Sequence, residues 1–296
     1  MAERAQDRWA SWVLERGHAG DAKQQQAKLE FLRPVRARVL GNAGVASGEV
    51  LLDVGAGDGL IAFGALDLLG PNGHVIFSDI SQDLVDHGQR LADELGVSDR
   101  CTFVCTSADD LAGIGDSSVD AVTTRSVLIY LPFAGKRNAL HAFHRVLKPN
   151  GRFSLFEPIN RFAHPEPDDI FWGFDVAPVM HLAARVKEVY EQDDVPESTL
   201  VDFDECDLLR FAEDAGFPII HLEYEAEISP GTWFMSWEAF LDTAGNPLIP
   251  TQREAIERAL TPQEAERFKA HLRPLVEAGK GTKRFACAYL FGRKGA

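Results

Sequence analysis

The chain has 296 residues, 45% of them hydrophobic, and a formal net charge of −15 at neutral pH. That length and apolar content suffice for a substantial core in one enlarged domain or a domain with an annex. The negative balance works against a phosphate backbone and, with no basic patch in the chain, excludes bulk nucleic acid as a substrate. No apolar run approaches the length of a membrane span, and Met1-Ala-Glu-Arg-Ala-Gln-Asp-Arg carries charge without the apolar stretch of a signal peptide. A cytoplasmic protein with no membrane partner is therefore expected. The four cysteines, at 101, 105, 206 and 287, lack the short spacings of a metal site, so neither disulfide nor zinc is expected. Cys101 and Cys105 share one side of an apolar run and read as small hydrophobic residues.

In chain order, residues 1–49 predict two helices. Trp9, Trp12, Val13 and Arg16 recur at helix-face spacing, a break follows over 17–21, and a second helix runs from about 22 to 40. The aromatic pair has two readings: packing into the core, or a lid of residues 1–45 that closes over a ligand pocket. Residues 46–157 then read as a ligand-binding α/β core. Val50, Leu51, Leu52, Asp53 and Val54 suit a strand buried on both faces, and Gly55, Gly57 and Gly59 let the backbone turn sharply beside a ligand. The helix predicted over 60–69 points its N-terminal amides at whatever lies there. A dinucleotide fingerprint needs its third glycine one residue later, where Leu60 stands, which weakens an NAD reading. Asp53 precedes the first glycine by two positions, and the resulting D-x-G-x-G-x-G resembles motif I of the class I S-adenosylmethionine (SAM) methyltransferases.

The next strand, 74–79, ends in Asp79, at the interval where nucleotide-binding α/β domains place a carboxylate that accepts both ribose hydroxyls. Ile80 would flank an adenine ring. Asp79 also has a helix-capping reading, but Ser81 can cap the helix over 82–95 itself, which ends at Gly96. After a strand at 101–105, the run Thr106-Ser107-Ala108-Asp109 resembles the methyltransferase motif that meets adenine. Ser107 stands where an aspartate is usual, leaving Ser107 or Asp109 as the polar partner beside Ala108. The fourth strand, 119–124, runs into Arg125 without the Asn/Asp-Pro-Pro-aromatic tetrad, which argues against methylation of nucleobases or protein glutamine. Arg125 has three readings: the methionine part of SAM, a substrate anion, or a structural salt bridge. A helix over 133–147 leads to Arg-Val-Leu-Lys-Pro-Asn-Gly-Arg at 145–152, which resembles the turn of the ubiquinone- and menaquinone-biosynthesis type of SAM methyltransferase.

Beyond the fifth strand, residues 158–203 read as a cap insertion at the ligand-binding edge of the sheet. The core resumes over 204–225 with a helix and a sixth strand. A second helical insertion spans 226–282, with Trp233, Phe234, Trp237 and Phe240 and a capping box at Thr261 and Glu264, and 283–296 supply the last strand.

The expected fold is α/β and Rossmann-like, with a seven-stranded mostly parallel sheet. By resemblance to the family its order is 3-2-1-4-5-7-6, with the last strand antiparallel. The resemblance implies a SAM-dependent methyltransferase with S-adenosylhomocysteine as product. It places Asp53, Gly55, Ala56, Gly57 and Gly59 at the amino acid portion of the cofactor, Asp79 and Ile80 at the nucleoside, residues 107–109 at the adenine, and Arg125 nearby. The expected reaction is in-line displacement to an oxygen or nitrogen of a small metabolite, natural product or short peptide. If a general base is used, Tyr130, Glu157, His164 and His181 are the polar groups nearest the cleft in sequence. A non-catalytic SAM-binding regulator and an NAD-linked oxidoreductase are the alternative classes.

Overall fold

The core strands are short and apolar on both faces, as strands with helices on either side must be. The computed structural model describes residues 7–193 and 199–296; residues 1–6 of the expected lid and 194–198 of the first insertion lie outside the described residues. In chain order the elements are α1 (Arg8–Leu14), α2 (Ala22–Ala43), β1 (Val50–Val54), α3 (Leu60–Leu69), β2 (His74–Asp79), α4 (Gln82–Leu95), β3 (Cys101–Cys105), β4 (Val119–Arg125), α5 (Phe133–Val146) and β5 (Leu147–Pro158). There follow the hairpin β6 (Ile170–Phe171) and β7 (Phe174–Asp175), then α6 (Met180–Asp193), α7 (Glu205–Asp214), β8 (Ile219–Pro230), α8 (Trp237–Asp242), α9 (Gln252–Ala259), α10 (Pro262–Glu277) and β9 (Thr282–Arg293).

The main sheet runs β3-β2-β1-β4-β5-β9-β8, and β9 alone is antiparallel to its neighbours. Counting core strands only, this is the expected 3-2-1-4-5-7-6. Side chains alternate across it: Leu51 packs with Val35, Val39 and Ala65 from α2 and α3, whereas Leu52 and Val54 face Leu140, Phe143 and Leu208 from α5 and α7. In the parallel ladder Asp53 lies opposite Phe77 and Thr123, so the glycine loop, Asp79 and Arg125 leave the sheet along one carboxyl edge. Helix ends follow local chemistry. Ser81 accepts from the Leu84 amide at 3.1 Å and starts α4, which closes on Gly96 at φ +68°.

The two insertions build one cap rather than two appendages. Phe171, Phe174, Trp237, Phe240, Ile256 and Phe268, from both insertions, bury one another in a core separate from those on the sheet faces. The N-terminal segment straps this cap to the sheet. Trp12 Nε1 donates to Ala244 O at 2.9 Å, Arg16 pairs with Glu254 at 2.6 Å, and the Gln24 amide donates to Trp233 O at 2.9 Å.

Several sequence expectations need correction. β8 continues to Pro230, so the second insertion starts after 230 and not at 226. Its outer half pairs residue for residue with β9, while Glu223, Glu225 and Glu227 stay exposed and hide the strand behind polarity. Arg16 lies beyond the end of α1, in a 3-10 turn over Arg16–His18, and so is not on its face. Cys105 is exposed rather than packed, because β3 is the edge strand. No helix among the described residues is long and apolar enough to cross a membrane.

Candidate active site

The glycine loop divides its tasks. A Cβ on Gly55 would stand 2.2 Å from Val127 Cγ2, so this glycine admits the turn that follows β4. Gly57 is buried at a φ of +57°, and a Cβ there would lie in ordinary contact with Gly55 O and Val13 Cγ1 of α1, both at 3.9 Å. Ala56 is buried and donates its amide to Ser78 O at 2.9 Å, while Gly59, at φ +79°, stands at the N-cap of α3.

Asp53 is 2% exposed, and both its oxygens are engaged: Oδ1 accepts from Thr123 Oγ1 at 2.9 Å and Oδ2 from the Ala62 amide at 3.0 Å. Burial pushes its carboxyl up to about 7 against the pull of those bonds. The Asp53 carboxylate thus braces the first turn of α3 against β4. Asp79 is 6% exposed, and its oxygens accept from the Gly57 amide at 3.0 Å and the Ser81 amide at 2.9 Å, so this carboxylate is tied to the glycine loop; burial raises its pKa. Ile80, next to it, is 55% exposed and offers a free apolar surface. The start of the strap is moored here: Asp7 Oδ2 accepts from Ser81 Oγ at 2.6 Å, and the Asp7 amide donates to Asp83 at 2.7 Å.

At the neighbouring corner Ser107 Oγ donates to Asp109, so the two possible adenine partners form one unit next to the buried Ala108. Arg125 is half-buried at the end of β4, and its side chain closes no ion pair or hydrogen bond among the described residues. The structural salt bridge that was one of its readings does not form.

The four proposed bases are not brought together. Tyr130 packs in an aromatic cluster, with edge contacts to Trp9 at 5.1 Å and Trp12 at 6.4 Å. Burial, with Glu157 adding, holds its phenol well above the ordinary value, so it remains protonated. Glu157 is 0% exposed and accepts from the amides of Val127, Leu128 and Ile129 at 2.9, 2.9 and 3.2 Å. Burial lifts it to about 7 against those bonds, and it anchors the turn after β4 with no face left for a substrate. His164 is exposed just after the 3-10 turn over Asn160–Phe162, and His181 is exposed on the first turn of α6. Sequence reasoning missed Lys28, whose Nζ lies 5.2 Å from the Trp12 ring, and the mooring at Asp7. The spacing of Trp9 and Trp12 was the visible trace of this arrangement.

Comparison with known proteins bears on this site. A family model described as a methyltransferase domain matches residues 51–151. The ubiquinone/menaquinone biosynthesis C-methyltransferase UbiE of Pseudomonas syringae pv. tomato is 31% identical over 179 residues, 59% of this chain and 67% of that relative. The chain belongs to the class I SAM-dependent methyltransferases. The UbiE of Pseudoalteromonas translucida is 29% identical over 188 residues, 62% of this methyltransferase and 71% of the relative. Among solved structures, the geranyl diphosphate C-methyltransferase of Streptomyces coelicolor A3(2), in complex with Mg2+, geranyl diphosphate and S-adenosyl-L-homocysteine, shares the fold. It has a TM-score of 0.52 and 16% identity, with 94% of this chain and 88% of that one covered. The methyltransferase uses SAM as its cofactor.

Proposed function

We propose that this methyltransferase transfers the methyl of SAM to a carbon atom of a small acceptor with an apolar ring or chain. In this reading the nucleoside lies along Asp79, Ile80 and the 107–109 corner, and the methionine portion crosses the glycine loop. The observation that carries the cofactor half is the loop itself: the Gly57 amide, at φ +57° and without a side chain, donates to the Asp79 carboxylate at 3.0 Å beside the exposed Ile80. SAM, when bound, supplies a methyl carbon already activated by its sulfonium, so the chain's own work is to align the acceptor and exclude water.

For the acceptor, the support is the aromatic cluster of Trp9, Trp12 and Tyr130 and the engagement of the two buried candidate bases, Tyr130 being held protonated and Glu157 filled by backbone amides. An electron-rich carbon, as in an enol or a phenol ring, provides its own electron pair and afterwards releases its proton to water. The two relatives, named as C-methyltransferases, point the same way. The test is incubation with SAM labelled at its methyl carbon and a panel of phenols, quinols, 1,3-dicarbonyl compounds, amines and short peptides. A carbon-bound methyl in the NMR spectrum of the product is expected. A methyl on oxygen or nitrogen, or a labelled peptide, would overturn the carbon or small-acceptor assignment.

A further inference from the structure

The strap and the cap meet along a seam that two hydrogen bonds close: the Trp12 indole donates to Ala244 O at 2.9 Å, and the Ala244 amide donates to Arg16 O at 3.0 Å. Beside these bonds the seam leaves a crevice of about 40 Å³, walled by Arg8, Ser11, Trp12 and Arg16 of the strap and by Asn246 and Ile249 of the cap. Arg8, Ser11 and Trp12 share one side of α1, and Arg16 follows in the 3-10 turn. Asn246 is 8% exposed; its Oδ1 accepts from the Leu248 amide at 2.8 Å, so Nδ2 has no partner among the described residues. Ser11 Oγ has none there either, and the Arg8 guanidinium meets only the Trp9 ring, 5.8 Å from its centroid. Arg16 is paired with Glu254 at 2.6 Å, and none of the residues that line the crevice is acidic. One uncompensated positive charge therefore remains at the seam of a chain whose net charge is −15.

Chemistry and size together name the occupant. A guanidinium and an amide NH2 only donate, and a hydroxyl can donate as well, so the crevice suits a group that only accepts. A water-sized group fills about 10–15 Å³ of such a cavity, which leaves room for about three of them. That is the carbon and two oxygens of a carboxylate, whose plane also matches the fork of a guanidinium; a phosphate or a ring is larger. We propose that the crevice is a carboxylate-binding site, with Arg8 as its charge partner and Asn246 Nδ2 and Ser11 Oγ as further donors. A carboxylate held there bridges the strap to the cap. Trp12 also belongs to the aromatic cluster with Tyr130, so the carboxylate has two sources: a free small acid, or an arm of the acceptor.

The experiment is ligand-observed NMR titration of the full chain and its R8M and N246D variants with acetate and with para-hydroxyphenylacetate, each beside its uncharged amide. In N246D an aspartate keeps the acceptor for the Leu248 amide and replaces the free donor with a negative charge; R8M changes an exposed residue and decides the matter if N246D fails to fold. The acetate pair needs neither SAM nor turnover and is independent of the function proposed above, whereas the para-hydroxyphenylacetate pair rests on it. At least one carboxylate is expected to bind about tenfold or more tighter than its amide, and each folded variant to abolish that preference. A preference shown by acetate assigns the site to a free acid; one shown by para-hydroxyphenylacetate alone assigns it to an arm of the acceptor. No preference for either carboxylate, or a preference that survives in a folded variant, would overturn the site. A flat titration with S-adenosylhomocysteine would remove the cofactor reading and leave the acetate result standing.

Discussion

Asp53, Asp79 and Glu157 each end or nearly end a parallel strand, and their different tasks follow from what reaches their oxygens. Asp53 and Glu157 are filled by donors of α3, β4 and the turn after it, whereas one of the two amides that reach Asp79 belongs to Gly57 of the glycine loop itself. Asp79→Ala should therefore lower S-adenosylhomocysteine affinity by about tenfold or more, read by titration. Glu157 should show in the pH dependence of stability. The folded chain holds its proton up to about 7, while the unfolded chain releases it near 4.5. Between those values the folded state binds more protons, so stability falls as pH rises through the window. Glu157→Gln should flatten that fall, read as the thermal midpoint from about pH 5 to about pH 8; Asp53, raised in the same direction, leaves a residual slope. An unaltered slope would contradict the assignment. Asp79 was legible in the sequence because its meaning lies in a short interval from the glycines. Glu157 was not, since its three partners at 127–129 meet it only once β4 and β5 are paired.

At the scale of elements, the strap is the part whose two readings the contacts separate. No residue of 7–21 belongs to any of the three hydrophobic cores, yet this segment touches the corner between β2 and α4 through Asp7 and Ser81 and the cap through Trp12 and Ala244. Removal of residues 1–20 should leave the far-ultraviolet circular dichroism of the remaining chain unchanged and weaken S-adenosylhomocysteine binding by about tenfold. Loss of folded signal would return the segment to a core-packing role. The helix-face spacing of Trp9 and Trp12 announced a buried aromatic face. It did not say what the face covers, because that depends on Tyr130 from a turn over a hundred residues on. The extra length of β8 was likewise hidden: an edge strand with glutamates at alternate positions carries no apolar signal, and its partner β9 lies across an insertion.

In the whole molecule, three cores divide the labour, two against the sheet and one in the cap. The sheet order was legible because each strand, glycine and turn is local and the family resemblance supplied the order. The shared cap core was not, because Phe171 and Phe268 come from insertions separated by α7 and β8. Phe240 is fully buried among the rings of Phe171, Phe174, Phe234 and Trp237. Phe240→Ala should cost the cap about 3 to 5 kcal/mol and appear as an early transition in calorimetry, with S-adenosylhomocysteine affinity kept while turnover of an acceptor falls. Loss of both together would mean that cap and sheet unfold as one unit. The measurement that bears most directly on the whole is titration of the unmodified full-length chain with S-adenosylhomocysteine. Saturable binding of one equivalent, displaced by SAM, is expected; a flat titration would contradict a cofactor site at the glycine loop and Asp79.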